Sequence, residues 1–167
     1  MKQFILGMSI LSIVFTGCLK TDDQACNYDP CAGKAPDAQV LALETYLDTN
    51  NIIATKHCSG LYYNITDSGS TEKPKDICGS VFVRYSGKLV NGATFDSNVS
   101  GVGFQLGGLI EAWKKAIPLI GRNGNITIYV PPALGYGSAD VKDQQTQQVV
   151  IPGNSILIFE VELVDFN

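Results

Sequence analysis

Charged residues and histidine are scarce in this chain of 167 residues. Only 17% of the residues are charged, and His57 is the only histidine. The sequence also contains no glycine-rich phosphate loop and no pair of carboxylates at a recognisable catalytic spacing. Nucleophilic catalysis and phosphoryl transfer therefore have little support, because both depend on such groups. His57 stands directly before Cys58, near the start of a predicted strand, and is interpreted as structural.

Basic residues are also few, and they do not cluster. The chain has 12 lysines and arginines against 16 aspartates and glutamates, which gives a formal net charge of −4. A nucleic-acid partner is not expected, because binding of nucleic acid needs a basic patch or stripe. Glycine, in contrast, is plentiful at 17 residues, which favours turns and short strands over long helices. The length fits one compact β-rich domain with an N-terminal extension.

The N-terminus has no apolar run long enough to span a membrane, but it has the features of an export signal. Lys2 is followed by an apolar stretch from Phe4 to Phe15, shorter than the ~20 residues of a spanning helix. The small pair Thr16-Gly17 then leads into Cys18. This stretch resembles a bacterial lipoprotein signal, which is cleaved before a cysteine whose thiol receives a diacylglycerol. Residues 1–17 are thus the predicted signal peptide and Cys18 the predicted lipidation site; the alternative is ordinary secretion, with Cys18 free or in a disulfide.

The residues after Cys18 suggest a destination. Residues 19–23 read Leu-Lys-Thr-Asp-Asp, which resembles the acidic tag that sends lipoproteins of some bacteria to the cell surface. We therefore expect an outer-membrane lipoprotein of the bacterial cell envelope, with its domain facing either the periplasm or the cell surface.

Four cysteines remain once Cys18 is set aside. In the oxidising compartment that an export signal implies, they are expected to form two disulfides, for which three pairings exist. The favoured pairing joins Cys26 to Cys31 and Cys58 to Cys78, because the first pair lies in one small loop and the second flanks a predicted strand. These spacings fit no zinc pattern and histidine is scarce, so no metal site is expected.

Residues 18–36 are polar and contain two prolines, which is typical of a tether closed by a local disulfide. From Asp37 onward the apolar residues follow a helical stripe, with Asp37 as a candidate N-cap and Asn50-Asn51 as a candidate stop. Residues 37–59 are accordingly interpreted as an N-terminal helix and lead-in. This helix is too short to argue for a dimerisation stalk, and we expect a monomer.

Strand patterns dominate the remaining domain, residues 60–167. Alternating or β-branched runs predict strands at residues 61–66, 80–90, 94–96, 102–106, 125–130 and 156–166. The pair Asn91-Gly92 predicts a hairpin turn, and apolar residues at helical spacing over 109–117 predict a short helix that ends at Pro118. The glutamine-rich stretch 137–149 is interpreted as a mobile surface loop. The resulting fold class is α+β, with an antiparallel sheet wrapped over one short helix.

Six motifs follow one another in order through this domain. They lie at Val81 and residues 83–87, at 91–97, at 104–107, at 109–113, at 132–137 and at 151–163. Together they resemble FKBP-type peptidyl-prolyl cis-trans isomerases over roughly residues 60–167. The resemblance implies the FKBP-like fold, a curved antiparallel β-sheet around one short helix, with a binding pocket between sheet and helix.

The resemblance also implies a role for each residue of the pocket. Phe95, Asp96 and Tyr136 are the expected catalytic residues. The expected substrate-binding residues are Tyr85, Phe104, Leu109, Ile110, Trp113, Val150, Ile151 and Phe159. In this scheme Trp113 is the floor and the other aromatic rings are the walls, while the backbone N–H of Ile110 binds a substrate carbonyl. Val150 and Ile151 form the far lip.

Three features depart from the family pattern. The segment directly after Asp96, residues 97–103, lacks the arginine that often pairs with this aspartate in the family, Ala112 stands where glycine is commoner, and the loop after Tyr136 is longer than in compact members. We expect Asp96 to be buried and hydrogen-bonded to the Tyr85 hydroxyl, because a buried carboxylate without a partner is costly.

The function that the resemblance implies is prolyl isomerisation of proline-containing polypeptides, in support of the folding of exported proteins, without a cofactor. Macrolide ligands of the family are further candidate ligands. A non-catalytic prolyl-peptide-binding module or chaperone on a lipid anchor is the first alternative. Surface adhesion or partner docking through the N-terminal helix and the glutamine-rich loop is the second.

Overall fold

The alternating apolar segments form strands, largely where the sequence places them. The computed structural model describes residues 26–167, so the predicted signal peptide, residues 1–17, and the predicted lipidation site Cys18 lie outside the described residues. The strands are β1 (Thr55–Lys56), β2 (Tyr62–Asp67), β3 (Ser80–Leu89), β4 (Thr94–Gln105), β5 (Gly124–Val130), β6 (Val141–Lys142), β7 (Val149–Ile151) and β8 (Leu157–Phe166). The helices are α1 (Asp37–Thr49) and α2 (Glu111–Ala116). Within residues 26–167, no helix is long and apolar enough to cross a membrane.

Six of the strands form one sheet in the order β1-β2-β5-β8-β3-β4, and every neighbouring pair is antiparallel. The segments 94–96 and 102–106, predicted as separate strands, belong to the single strand β4. Its pairing with β3 shifts between Val83 and Tyr85, opposite Val102 and Asn98, and Gly101 there has a φ of +94°. This bulge interrupts the alternation that the sequence shows, although the strand continues through it.

The inner face of the sheet packs on α2. Alternate residues of β8 point inward and share a core with Trp113 and Ile117 of the helical segment; they are Leu157, Phe159, Val161 and Leu163. The predicted α+β arrangement, an antiparallel sheet around one short helix, is therefore confirmed. The helix begins at Glu111 and gives way after Ala116 to a 3-10 turn, Ile117–Leu119, which contains Pro118.

The outer face of the sheet is partly covered by α1. Leu43 and Leu47 of this helix pack against Tyr129 of β5 and Ile158 of β8 in a second, smaller cluster. Asp37 is the first helical residue rather than the N-cap, which is Pro36. Its carboxylate still favours this end, because negative charge in the first turn opposes the helix dipole.

The disulfides join Cys26 to Cys78 and Cys31 to Cys58. All four expected cysteines are bonded, but the favoured pairing was wrong. Cys58 precedes β2 and Cys78 precedes β3, and β5 and β8 lie between these two strands. Three strand spacings amount to about 14 Å, whereas the Cα atoms of a disulfide lie at most about 7 Å apart. Strands β2 and β3 also run in opposite directions, so their first residues lie at opposite ends of the sheet.

The glutamine-rich stretch contains a small hairpin, β6 and β7, rather than a loop without secondary structure. Asp143 organises its turn by accepting hydrogen bonds from the backbone N–H groups of Gln145 and Thr146 and from the Thr146 hydroxyl, at 2.7 to 3.0 Å. These bonds from Thr146 and Gln145 hold the pKa of Asp143 below its usual value. The strands of this hairpin have only two and three residues, which is too short for a periodic pattern to be visible in the sequence.

Candidate functional site

A cavity of about 190 Å³ lies between α2 and the inner face of the sheet. It is lined by side chains that come from five separate segments of the chain. The lining residues are Tyr85, Asp96, Phe104, Leu109, Ile110, Trp113, Tyr136 and Phe159. All eight belong to the set that the resemblance implies, so the fold brings most of the expected site together.

Trp113 is the hub of the aromatic lining. It lies on the inward side of α2, and its ring meets those of Tyr85, Phe104 and Phe159 nearly at right angles, with centroids 5.2, 6.1 and 5.4 Å away. Edge-to-face packing places the positive edge of one ring against the negative face of the next. The strands β3, β4 and β8 thus each supply one ring around a common floor.

The Trp113 indole is buried, with 4% of the residue exposed, and its N–H has no hydrogen-bond partner among residues 26–167. A buried donor without a partner is costly, so native structures rarely contain one without a reason. The ring to which this N–H belongs forms the floor of the cavity.

Tyr85 and Asp96 form the polar edge of the cavity. The Tyr85 hydroxyl donates to a carboxylate oxygen of Asp96 at 2.7 Å, which confirms the expected bond. Burial of Tyr85, followed by this hydrogen bond, raises the pKa of the phenol, so the hydroxyl keeps its proton at physiological pH. Asp96 itself is exposed, contrary to the expectation of burial, because β4 is an edge strand of the sheet. Water therefore shares the solvation of its carboxylate.

Tyr136 also lines the cavity, with 43% of the residue exposed. A 3-10 turn, Pro132–Leu134, leads to it, and the buried Leu134 anchors this turn in the core. The chain then reverses at Gly137, whose φ of +76° suits glycine. Partial burial, followed by the nearby charge of Asp96, raises the pKa of Tyr136 and keeps its hydroxyl protonated.

Ile110 is the N-cap residue of α2, with extended backbone angles, and its carbonyl accepts hydrogen bonds from the N–H groups of Trp113 and Lys114. Leu109 stands before it at the end of a 3-10 turn, Leu106–Gly108. The rim residue Ile110 and the floor residue Trp113 are therefore coupled directly through the first turn of the helix.

Three expected site residues do not line the cavity. Phe95 packs behind it, with its ring edge-on to Phe159 at a centroid distance of 5.5 Å. Ile151 is buried in the core, and Val150 is exposed beside it on β7. Among residues 26–167, none between 138 and 158 belongs to the lining, so the long hairpin leaves the cavity clear.

His57 lies outside the cavity lining. Its Nδ1 lies 2.9 Å from the hydroxyl of Ser59, which is fully buried. Burial, followed by the charge of Lys115, lowers the pKa of the imidazole. This geometry fits the structural interpretation of the histidine.

Sequence reasoning missed a polar cluster on the far side of α2. Tyr28 donates its hydroxyl proton to Glu111 at 2.7 Å, and the buried Lys115 donates to the Tyr28 oxygen at 2.8 Å. The only signal in the sequence is the spacing of Glu111 and Lys115, which is four residues. Such a pair ordinarily indicates an exposed helix face, and nothing in the sequence links it to Tyr28.

Residues 70–164 match the family of FKBP-type peptidyl-prolyl cis-trans isomerases, and this is more than half of the chain. The chain belongs to this family. It is 37% identical over 110 residues to the FKBP-type peptidyl-prolyl cis-trans isomerase FkpA of Escherichia coli strain K12, with 64% of this chain and 38% of that protein aligned. It is 40% identical over 112 residues to a probable FKBP-type isomerase of Haemophilus influenzae, with 65% of this chain and 44% of that protein aligned.

Solved structures of the family have the same fold. The crystal structure of FkpA from Escherichia coli has a TM-score of 0.65 at 29% identity, covering 78% of this chain and 60% of that chain. A peptidyl-prolyl cis-trans isomerase from Pseudomonas syringae has a TM-score of 0.66 at 26% identity, covering 80% and 98%. The FKBP-like fold is thereby confirmed. The chain matches less than half the length of the curated relatives from Escherichia coli and Haemophilus influenzae.

Proposed function

We propose that this chain is a peptidyl-prolyl cis-trans isomerase that acts on exported polypeptides. The observation that carries the proposal is the aromatic cavity over Trp113, which has polar groups only at its edge and a buried indole N–H without a partner in the described residues. Membership of the isomerase family supports the same reading.

Prolyl isomerisation requires little of the protein beyond binding of the substrate. Rotation about a prolyl amide must break the amide resonance, and no bond has to be attacked. In the twisted state the carbonyl and nitrogen lose conjugation and the amide becomes less dipolar. An apolar pocket disfavours the planar, dipolar amide more than the twisted one, and this difference lowers the barrier.

Each part of the cavity has a place in this scheme. The rings of Tyr85, Phe104 and Phe159 enclose the proline ring above Trp113. The neutral hydroxyl of Tyr136 and the N–H of Ile110 donate to substrate carbonyls, and the bond from Tyr85 to Asp96 fixes the polar edge. No proton is transferred, and no metal or cofactor takes part.

Phe95, Val150 and Ile151 retain only indirect parts in the proposal. Phe95 supports Phe159 from behind, the buried Ile151 anchors β7 in the core, and the exposed Val150 stands beside it on that strand.

The test is the exchange rate between cis and trans forms of a tryptophan-free proline peptide, measured by NMR with the full chain in mild detergent. We expect faster exchange at micromolar protein, and an effect at least tenfold smaller for Tyr136→Ala. Tyr136 is partly exposed, so this variant should fold normally. No acceleration by the unaltered chain would refute the proposal.

A non-catalytic prolyl-peptide-binding module is the second candidate, and the exposure of Asp96 favours it. In the part of the chain that the structure describes, no ion pair includes Asp96, so its orientation depends on Tyr85 alone. Peptide or macrolide binding that changes Trp113 fluorescence, without faster exchange, would select this candidate.

We further propose that residues 1–17 are a signal peptide and that Cys18 is lipidated, which anchors residues 19–167 to the bacterial outer membrane. The support is the sequence pattern before Cys18. Mass spectrometry of the mature N-terminus tests it: a diacylglyceryl cysteine is expected, and a free N-terminus without lipid would refute it. Protease accessibility on intact cells then separates a periplasmic from a surface-facing domain.

A further inference from the structure

The segment Cys26–Ala35, here called the N-terminal strap, is fixed to the domain at three points. Cys26 is bonded to Cys78 before β3, and Cys31 to Cys58 before β2. The N–H of Ala35 donates to the carbonyl of Ser59 at 2.9 Å. Because the starts of β2 and β3 lie at opposite ends of the sheet, the strap crosses the molecule between the two disulfides.

The strap crosses α2 at the buried residue Lys115. Only 1% of this side chain is exposed, yet its ammonium group has three acceptors. They are the Tyr28 hydroxyl and the Ala32 carbonyl, both at 2.8 Å, and Glu111 at 3.3 Å. An ammonium group has three protons, so the set is complete, and the strap supplies two of its three members.

Tyr28 ties the strap to both ends of this short helix. Its hydroxyl donates to Glu111 at 2.7 Å, and its ring lies 4.9 Å from the Lys115 nitrogen. Glu111 directly follows the rim residue Ile110, and the floor residue Trp113 lies between Glu111 and Lys115. A helix of six residues has little stability of its own, so outside contacts determine its position.

We propose that the N-terminal strap is a positioning element for the cavity, with Tyr28 and Lys115 as positioning residues that act on ligand through Ile110 and Trp113. This inference rests on the proposed binding of prolyl peptides in the cavity. It implies that affinity for the peptide depends on the oxidation state of the two disulfides.

Reduction by a dithiol supplies two electrons and two protons to each disulfide, giving two thiols and the cyclic disulfide of the reagent. The strap is then held by noncovalent contacts alone, namely the hydrogen bonds of Tyr28, Ala32 and Ala35 and the packing of Ala35 in the core, and the segment over Lys115 can move away. Water can solvate the ammonium group, and α2 loses the contacts that fix it from outside.

The test compares Tyr28→Phe with Tyr62→Phe in the full chain. Both changes remove one hydroxyl that donates to a glutamate, but Tyr62 bonds Glu44 of α1 on the other side of the sheet. Trp113 is the only tryptophan, so its emission reports on the cavity alone. We expect Tyr28→Phe to shift this emission and to weaken peptide binding threefold to tenfold, while Tyr62→Phe does neither.

A stability measurement separates positioning from a general loss of stability. Urea unfolding should show a similar loss of unfolding free energy in Tyr28→Phe and Tyr62→Phe, while only Tyr28→Phe weakens peptide binding; Lys115→Met, which also removes hydrogen bonds between the strap and α2, should weaken binding at least as much. Reduction with dithiothreitol should weaken peptide binding at least as much as Tyr28→Phe does, and reoxidation should restore it. Circular dichroism checks that the sheet survives reduction.

The proposal is overturned if Tyr28→Phe leaves both Trp113 emission and affinity unchanged, or if Tyr62→Phe changes them equally. If the unaltered chain binds no prolyl peptide, it is the proposed function that fails. The effect of the strap on α2 is then tested by Trp113 emission and by hydrogen exchange of α2. Both should change in Tyr28→Phe and not in Tyr62→Phe.

Discussion

At the scale of single residues, the cavity is lined by aromatic rings, which an ordinary hydrophobic core also contains. Two further features distinguish it from such a core. Apolar spacing alone would assign Trp113 and Phe159 to the core, and both are in fact buried. The distinguishing features are the bond between Tyr85 and Asp96 and the indole N–H of Trp113, which has no partner in residues 26–167. Of the two, the Tyr85–Asp96 pair lines the cavity with polar atoms that a ligand can contact.

The first residue-scale prediction concerns the Tyr85 hydroxyl. In Tyr85→Phe the ring remains but Asp96 loses its donor, and water can replace that donor because Asp96 is exposed. A net hydrogen bond is worth about 1 kcal/mol, so we expect kcat/KM for a proline peptide to fall about fivefold. The melting temperature should change by no more than that of Tyr62→Phe. An unchanged kcat/KM would show that the Tyr85–Asp96 bond has no part in catalysis.

The second residue-scale prediction concerns Gly87 of β3. A Cβ atom there would lie 2.6 Å from the Phe95 ring and 3.0 Å from the Phe159 ring. We expect Gly87→Ala to cost about 1–3 kcal/mol of unfolding free energy, because both rings must move. Gly103→Ala is the matched control, since its Cβ would meet only Phe82 at 3.9 Å. Urea unfolding of the two variants measures the difference, and equal stability would contradict the packing argument.

At the scale of elements, α2 is the part of the fold on which the site depends most. Six residues carry the floor of the cavity on one side and the polar cluster with the strap on the other. Burial alone would raise the pKa of Glu111, but hydrogen bonds from Lys114, Tyr28 and Lys115 outweigh it and lower the pKa to about 2. The carboxylate therefore holds this side of the helix in its charged form.

The element-scale prediction follows from that pKa. Because the folded value lies below the ordinary value of about 4.3, the contribution of Glu111 to stability is complete above pH 4.3. It is lost as the pH falls toward 2. The difference in unfolding free energy between the unaltered chain and Glu111→Gln should therefore be constant from pH 5 to 8 and shrink below about pH 4.

Glu44→Gln is the control for this titration. Glu44 also bonds a lysine and a tyrosine, and its pKa is lowered first by the hydrogen bond from Lys56, but it lies on α1. When the acid titration is monitored by Trp113 emission, only the curve of Glu111→Gln should differ from the curve of the unaltered chain. Identical curves for all three proteins would contradict the prediction.

At the scale of the whole molecule, two nested disulfides bind the N-terminal strap to the sheet. Cys26–Cys78 spans 52 residues and encloses Cys31–Cys58, which spans 27. Closing loops of these lengths removes entropy from the unfolded chain worth about 4 kcal/mol each, with the longer loop contributing about 0.5 kcal/mol more. The nesting makes the two effects less than additive.

The whole-molecule prediction compares serine pairs. Replacing Cys26 and Cys78 should lower the unfolding free energy by about 4 kcal/mol, and replacing Cys31 and Cys58 by slightly less. Urea unfolding without reductant measures both. Reduction of the unaltered chain with dithiothreitol breaks both disulfides. If it lowered the unfolding free energy by less than one of the serine pairs does, the chain-entropy account would be wrong.

Taken by itself, the sequence determined the strands β2, β3, β5 and β8 and the helices α1 and α2, and its resemblance to a family pointed to the eight residues that line the cavity. Periodicity and turn signals are local, so β3, β8 and the Asn91-Gly92 turn could be predicted from neighbouring residues alone. The ordered motifs then identified the family, which assigned Trp113 and Tyr136 to one site before any geometry was known.

Only the tertiary structure decided which distant groups meet. The sheet order separates Cys58 from Cys78 by two strands, so the strap spans the molecule instead of closing a local loop. The edge position of β4 leaves Asp96 exposed, and the crossing of the strap buries Lys115 against Tyr28. Burial and pairing of this kind depend on what the rest of the chain places beside a residue, and local sequence patterns do not contain that information.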